Sequence, residues 1–307
     1  MSEATVTAIS KTSGTPLGAA SALAVVLIWA SWLVSTRHSV GSALTPLDLS
    51  LMRYGLPALV LAPVWLRTGL WPKGVNKVAL VLMIAGSGAP FFQVVGYGLH
   101  ATPASAAGVL LPGIMPLATA LIGVFVLGER PDAIRWVGMA AILSGGLLLL
   151  YGGLTDGGLS WVSYVVLPMG ATLWAIYTHA FRRSGLTAFE GGALVSIWST
   201  LLNLAALPFV GTHLFEVPMP EIGLHLLTQG VLSGLAATIF YGSAVRSLGS
   251  TQAAAFTAIT PVAAAIGGII LLGEPLNATI VIAATLTSVG VLLSTGILSQ
   301  KRGATRP

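Results

Sequence analysis

The sequence has no cysteine and almost no charge. With Cys at 0, a disulfide scaffold, Cys-ligated zinc or iron–sulfur sites and a cysteine nucleophile are all excluded. Charged residues make up 7%, against about 25% in ordinary soluble domains, and so few cannot cover a soluble globule of this size. No G-x-x-x-x-G-K-[ST] phosphate loop occurs, so the sequence offers no ATP drive. No His/Glu metal set and no Ser-His-Asp arrangement stands out, so no metal, cofactor or enzymatic activity is expected. The 37 glycines show no G-X-Y period, which excludes collagen.

What is present is hydrophobic: 55% of 307 residues, with a mean hydropathy of +0.91. Asp, Glu, Lys and Arg are absent from long runs such as 12–36 and 78–128. A spanning helix needs about 20 mainly apolar residues, so the run 78–128 holds two, divided near His100-Ala101-Thr102-Pro103. Backbone groups in lipid must be paired internally, and without period-two alternation helices are the solution. The expected class is an all-α integral membrane protein. Ten spans are predicted, at 17–37, 46–66, 75–99, 103–127, 132–152, 159–182, 188–210, 222–245, 250–272 and 276–298. Short tails, 1–16 and 299–307, flank them.

Lys and Arg set the orientation. With the N-terminus inside, Lys11, Arg67, Lys73, Lys77, Arg130, Arg135, Arg182, Arg183, Arg246, Lys301, Arg302 and Arg306 are cytoplasmic, 12 of 14. Arg37 is outside and Arg53 lies within a span. Both termini are therefore expected in the cytoplasm. The net charge of +5 reads as a topology signal rather than a nucleic-acid patch. The expected partners are the lipid bilayer and a small-molecule substrate, with no obligatory protein partner.

The chain also repeats itself. Residues 116–129, from Pro116 to Gly128-Glu129, match 261–274, from Pro261 to Gly273-Glu274, at 7 of 14 positions. The same offset of 145 pairs Trp29 with Trp174, Arg37 with Arg182 and Ser105 with Ser250. One residue later it becomes 144 and pairs Pro131 with Pro275 and Gly146 with Gly290. The repeats, 17–152 and 159–298, each hold five spans, and an odd number inverts the second copy. Two inverted-topology halves are the signature of alternating access around a midplane site.

Leu27-Ile28-Trp29-Ala30-Ser31, the stretch from Pro116 to Glu129 and their second copies resemble EamA-type domains of the drug/metabolite transporter superfamily. The resemblance covers about 17–298. It implies a ten-helix bacterial inner-membrane carrier exporting small metabolites, most similar to the YddG-type amino-acid exporters.

Polar and aromatic residues inside spans are the site candidates, because lipid disfavours them. Gln93 and Tyr97 share a face of the third span. Trp29, Trp174 and Tyr177 offer aromatic walls. Gln229 and Ser233, four apart, share a face of the eighth span, and Thr257 lies in the ninth. Arg53 could attract a substrate carboxylate, snorkel, or pair with Asp48. Pro112, Pro116 and Pro261 are candidate kinks that gate or shape a cavity. His179 and Tyr241 are candidate proton-relay groups. Glu129 and Glu274 are expected beside the positive ends of the helices that follow them, with a proton-coupled acid as the alternative.

One basic group inside the spans is too few for multiply charged phosphates, and the first span has no acid for cation exchange. A neutral or zwitterionic cargo, an amino acid, fits best. An organic-cation exporter of the same superfamily and a channel-like facilitator are the alternatives.

Overall fold

The computed structural model describes residues 16–156, 159–275 and 277–298. The tails, with Lys11, Lys301, Arg302 and Arg306, lie outside the described residues. Within them the chain is helical, without a strand. In order come α1 (Pro16–His38), α2 (Pro46–Val60 continued by Ala62–Thr68), α3 (Lys77–Ser87 continued by Ala89–His100), α4 (Ala104–Leu127), α5 (Ala133–Asp156), α6 (Trp161–Ser184), α7 (Ala188–Val210), α8 (Met219–Leu248), α9 (Ser250–Phe256 continued by Thr260–Leu272) and α10 (Ala278–Ser294).

Eight of these are long and apolar enough to cross a membrane, and α2 is a ninth if its two pieces count as one. The predicted span 46–66 is in fact bent by 71° at Leu61. Pro63 explains the bend, since it has no N–H and its ring clashes with the carbonyl four residues back. The last helix, α10, is 17 residues long. The predicted helix 75–99 breaks at Gly88, before Pro90. The freed Ala89 N–H is recovered across the interface by Ser199 Oγ of α7, at 2.9 Å.

The two stretches that repeat in sequence share a proline start and a left-handed glycine end, with different turns before the proline. In α4 a π-helical turn, Val109–Gly113, contains Pro112, and Pro116 opens the helix beyond it. In α9 a 3-10 turn, Thr257–Ile259, precedes Pro261. Both helices end on a left-handed glycine, Gly128 (φ 70°) and Gly273 (φ 67°). The following Glu amides reach back to the Gly123 and Gly268 carbonyls at 2.9 and 3.1 Å. Capping boxes start α2 (Thr45, Asp48) and α7 (Thr187, Glu190).

Packing follows the small residues. Helices α5 and α10 form the most extensive pairing, through glycines that leave no room for a side chain. A Cβ on Gly138 would lie 2.7 Å from the Gly290 carbonyl, and one on Gly290 would lie 2.7 Å from that of Gly138. Elsewhere α1 packs on α8 and α9, α2 on α7 and α8, and α6 on α3 and α4. The outer surface is apolar, with Phe125 at 78% and Phe209 at 88% exposure, as a lipid-facing surface requires.

Gly290→Leu should overpack the α5–α10 contact and cost about 1–3 kcal/mol or more, read as a lower Tm in detergent. Gly192→Ala, where nothing lies within 4 Å, should instead stabilise by a few tenths of a kcal/mol up to about 1.

Candidate functional site

An aromatic column fills the centre of the bundle. Trp29 of α1 meets Trp174 of α6 edge to face at 6.3 Å and Tyr241 of α8 at 6.1 Å. Trp174 continues to Tyr177 (5.2 Å) and to Phe91 of α3 (5.6 Å), and Phe91 to Trp32 (6.2 Å). The structure thus brings together Trp29, Trp174, Tyr177 and Tyr241 of the sequence candidates. It adds Trp32, Phe91 and Phe92, which are neighbours only once α3 packs beside α1.

Arg53 sits at one side of this column, 8% exposed. Its guanidinium carbon lies 4.7 Å from the Trp32 ring centroid, 5.7 Å from Phe92 and 5.9 Å from Tyr54. Nη1 is buried without a hydrogen-bond partner, and among the described residues Arg53 makes no ion pair. The alternatives of pairing with Asp48 or snorkelling outward are therefore corrected. Asp48 is taken up by the Thr45 amide and hydroxyl (2.9 and 2.8 Å), the Thr212 hydroxyl (2.6 Å) and the His213 amide (3.4 Å). It caps α2 and ties that helix to the turn after α7. Cation–π attraction stabilises Arg53 in part, by about 2 kcal/mol or more when desolvated, but leaves Nη1 without an acceptor.

Beside Arg53, α8 runs as a π-helix from Leu226 to Ala236. Gly230 and Gly234 let it approach the α2 backbone, where their Cβ atoms would lie 2.8 Å from the Met52 and Arg53 carbonyls. Gln229 is fully buried and donates through Nε2 to Thr36 Oγ1 at 2.8 Å. Gln229 Oε1, Ser233 Oγ and Trp32 Nε1 are buried without partners. One turn before Gln229 stands His225, and one turn before that Glu221. Both were missed as site residues, although the spacing 221–225–229–233 is visible in the sequence.

The other candidates lie elsewhere. Gln93 borders a cavity of about 360 Å³ between α2, α3 and α7, with Pro90 and Asn203, and its amide reaches the Pro46 carbonyl at 3.5 Å. Tyr97 is 62% exposed. Thr257 donates to the Ala254 carbonyl of its own helix at 2.7 Å. His179 gives its Nε2 proton to the Thr119 carbonyl of α4 at 3.0 Å, a tie between helices.

The two repeated glutamates differ. Neither caps the helix that follows it: Asn277 caps α10, and the Arg135 amide at the start of α5 is taken by Asp132. Glu274 instead accepts from the Ala104 and Ser105 amides at 2.6 and 3.0 Å. It thereby caps α4, whose own N-cap residue is Pro103. The start of α4 packs closely along the end of α9, where a Gly108 Cβ would lie 2.8 Å from that of Ala264. The equivalent Glu129 is exposed and makes no such bond among the described residues. The end of α4 packs on α6, and the start of α9 on α8. Glu274→Ala should lower stability by about 0.5–2 kcal/mol, as removing a helix cap does. Glu129→Ala should change it by less than about 0.5 kcal/mol; thermal unfolding in detergent checks both.

The profile of the EamA-like transporter family matches residues 16–151 and 160–296. A protein of Streptantibioticus cattleyicolor named a probable terminal-alkyne amino-acid exporter is 25% identical over 295 residues, 91% of this chain and 97% of that protein. A solved crystal structure superposes with a TM-score of 0.63 at 19% identity, covering 94% of this chain and 99% of its own; this likeness concerns the fold alone.

Proposed function

The chain belongs to the EamA-like transporter family, a multi-pass membrane protein, and on that premise we propose that it exports zwitterionic metabolites, amino acids foremost, across a bacterial inner membrane. Arg53 carries this reading. A cation buried without a counter-ion is costly, and a substrate carboxylate would supply both the charge and the acceptor that Nη1 lacks. Gln229 Oε1 and Ser233 Oγ, both unpartnered acceptors, suit the ammonium end, and the rings of Trp29, Trp174 and Tyr241 suit an apolar side chain. The likeness to a named amino-acid exporter supports the same cargo. An organic cation would meet a fixed positive charge at this position.

The mechanism we propose is alternating access by two inverted five-helix halves, with each helix α1 to α10 one pass. The recurring helix breaks, glycine ends and capping boxes support the duplication. So does the Trp29–Trp174 contact, since equivalent residues touch where a pseudo-two-fold axis passes between them. In this reading Glu274 holds the α4–α9 contact at one end, while the same contact at the other end is unmade. Exchanging them, with Glu129 capping the start of α9, would open the site to the opposite side. With both termini cytoplasmic, the closed end is periplasmic.

A single cysteine replacing Lys73 should react with an impermeant maleimide only from the cytoplasmic side; periplasmic labelling would overturn the topology. For the cargo, proteoliposomes should take up labelled phenylalanine or leucine with saturation and counterflow. Arg53→Ala removes a charge-assisted hydrogen bond of about 1.5–3 kcal/mol, so affinity should fall roughly tenfold or more. The loss should be confined to carboxylate-bearing solutes, with thermal stability kept. Transport of tetraphenylphosphonium but no amino acid would replace this reading with the organic-cation exporter, and unsaturable flux without counterflow with a facilitator.

A further inference from the structure

Along α8, four polar side chains at intervals of four residues hold buried atoms without partners: Glu221 Oε1, both ring nitrogens of His225, Gln229 Oε1 and Ser233 Oγ. Buried polar atoms are nearly always paired. A file of exceptions on one helix marks a place where something enters and leaves. His225 is its centre. The residue is 0% exposed, and its ring stacks on His38 of α1, with centroids 6.4 Å apart and planes 29° apart. His38 is exposed at the end of its helix, so the pair runs from the surface to the interior.

The chemistry of the neighbours defines the ligand. A neutral imidazole has one donor, and an imidazolium has two and no acceptor. One turn before His225 the Glu221 oxygen lacks a donor, and one turn after it so does the Gln229 oxygen. Thr36 Oγ1 gives its proton to the Trp32 carbonyl at 2.8 Å and accepts from the Gln229 amide nitrogen, and the amide oxygen is left buried without a partner. Two unpaired acceptors thus flank an unpaired imidazole, and adding one proton to the ring supplies a donor for each.

The charged and titratable groups around it are accounted for. On α1, Arg37 donates to the Leu99 and His100 carbonyls at 3.1 and 2.7 Å, and His38 stacks as described. On α2, Asp48 is filled by its four donors, and Arg53 lies over Trp32. In the turn before α8, His213 and Glu216 pair at 2.9 Å. Glu221 is the carboxylate of this set with a free buried oxygen.

We propose that His225 is the proton-binding site of a proton-coupled transport cycle, with Glu221 and Gln229 as its acceptors and His38 as its link to water. The sign of coupling rests on the exporter reading above. The imidazolium and the cargo ammonium are like charges that compete for Gln229 Oε1, so proton and cargo bind alternately and cross in opposite directions. The proton is bound and released unchanged, and no bond of the cargo is altered.

The test has two arms. In nanodiscs, histidine-labelled protein followed by nitrogen NMR should show an imidazole that titrates between about pH 5 and 8 and is missing from His225→Gln. Glu221→Gln should lower its midpoint by about one pH unit or more, because the charged form loses its carboxylate. A His225→Gln spectrum that loses no titrating signal, or a midpoint unmoved in Glu221→Gln, overturns the proposal. In liposomes, an acid interior should drive phenylalanine accumulation. His225→Gln should lower the ratio of this pH-driven accumulation to phenylalanine exchange at equal pH by about tenfold or more. A ratio at the wild-type level in His225→Gln overturns the proposal. Should His225→Gln fail to fold, the midpoint shift in Glu221→Gln decides. Should the wild type move no phenylalanine, the amino-acid reading fails, and the NMR arm by itself decides the proton site.

Discussion

In an apolar surrounding, every polar group without an internal partner costs several kcal/mol, and the structure is organised around that cost. Where a proline or glycine breaks a helix, another element repairs the damage. Ser199 takes the amide freed at Ala89, Glu274 takes the two at the start of α4, and Asp48 collects four donors around the start of α2. Arg37 covers the last carbonyls of α3. The helices do not need these breaks to cross a bilayer. The breaks lie in α2, α3, α4, α8 and α9, and α3 and α8 also carry Phe91 and Tyr241 of the aromatic column.

Against so thorough a pairing, the unpaired atoms acquire meaning. Seven of the twelve among the described residues lie on α1, α2 and α8: Trp32 Nε1, Arg53 Nη1, Glu221 Oε1, both nitrogens of His225, Gln229 Oε1 and Ser233 Oγ; the other five are on Ser105, Arg135, Thr260, Thr287 and Ser288. Donors and acceptors are both present but do not reach one another. A rigid core would be expected to resolve such a set by repacking or by apolar replacement. A carrier can retain it if, as proposed, the missing partners arrive with the cargo and the proton. The π-helical path of α8 contributes, since its wider turns carry glycines that admit the α2 backbone and keep the polar file on one face.

The inequality of the two halves points the same way. The stretches 116–129 and 261–274 match at 7 of 14 positions and both contain a left-handed glycine at the helix end, yet one glutamate caps a helix of the other half and its counterpart does not. Each follows a left-handed glycine, although Arg130 follows Glu129 where Pro275 follows Glu274. They also differ in whether α4 and α9 are close at that end, which is a property of the arrangement of rigid helices.

Much of this was legible in the chain. The absence of charge fixes the membrane class, because lipid excludes charge over about 20 residues. The offset of 145 reveals a duplication, because Pro, Gly and Glu recur where apolar bias cannot place them. Trp29, Trp174 and Tyr241 could be picked out as unusual inside spans. Sequence could not decide which unusual residues meet. Tyr97 and Gln93 share a helix face with nothing to say that Tyr97 is exposed and Gln93 borders a separate cavity. His179 and His225 look alike along the chain, and only packing gives one the Thr119 carbonyl and leaves the other bare. Arg53 could as well have met Asp48, until the turn after α7 fills that carboxylate. Local composition determines that a segment enters lipid, because that free energy is summed residue by residue. Which polar atoms find partners is decided between helices far apart in sequence, and only the tertiary structure brings them within hydrogen-bond reach.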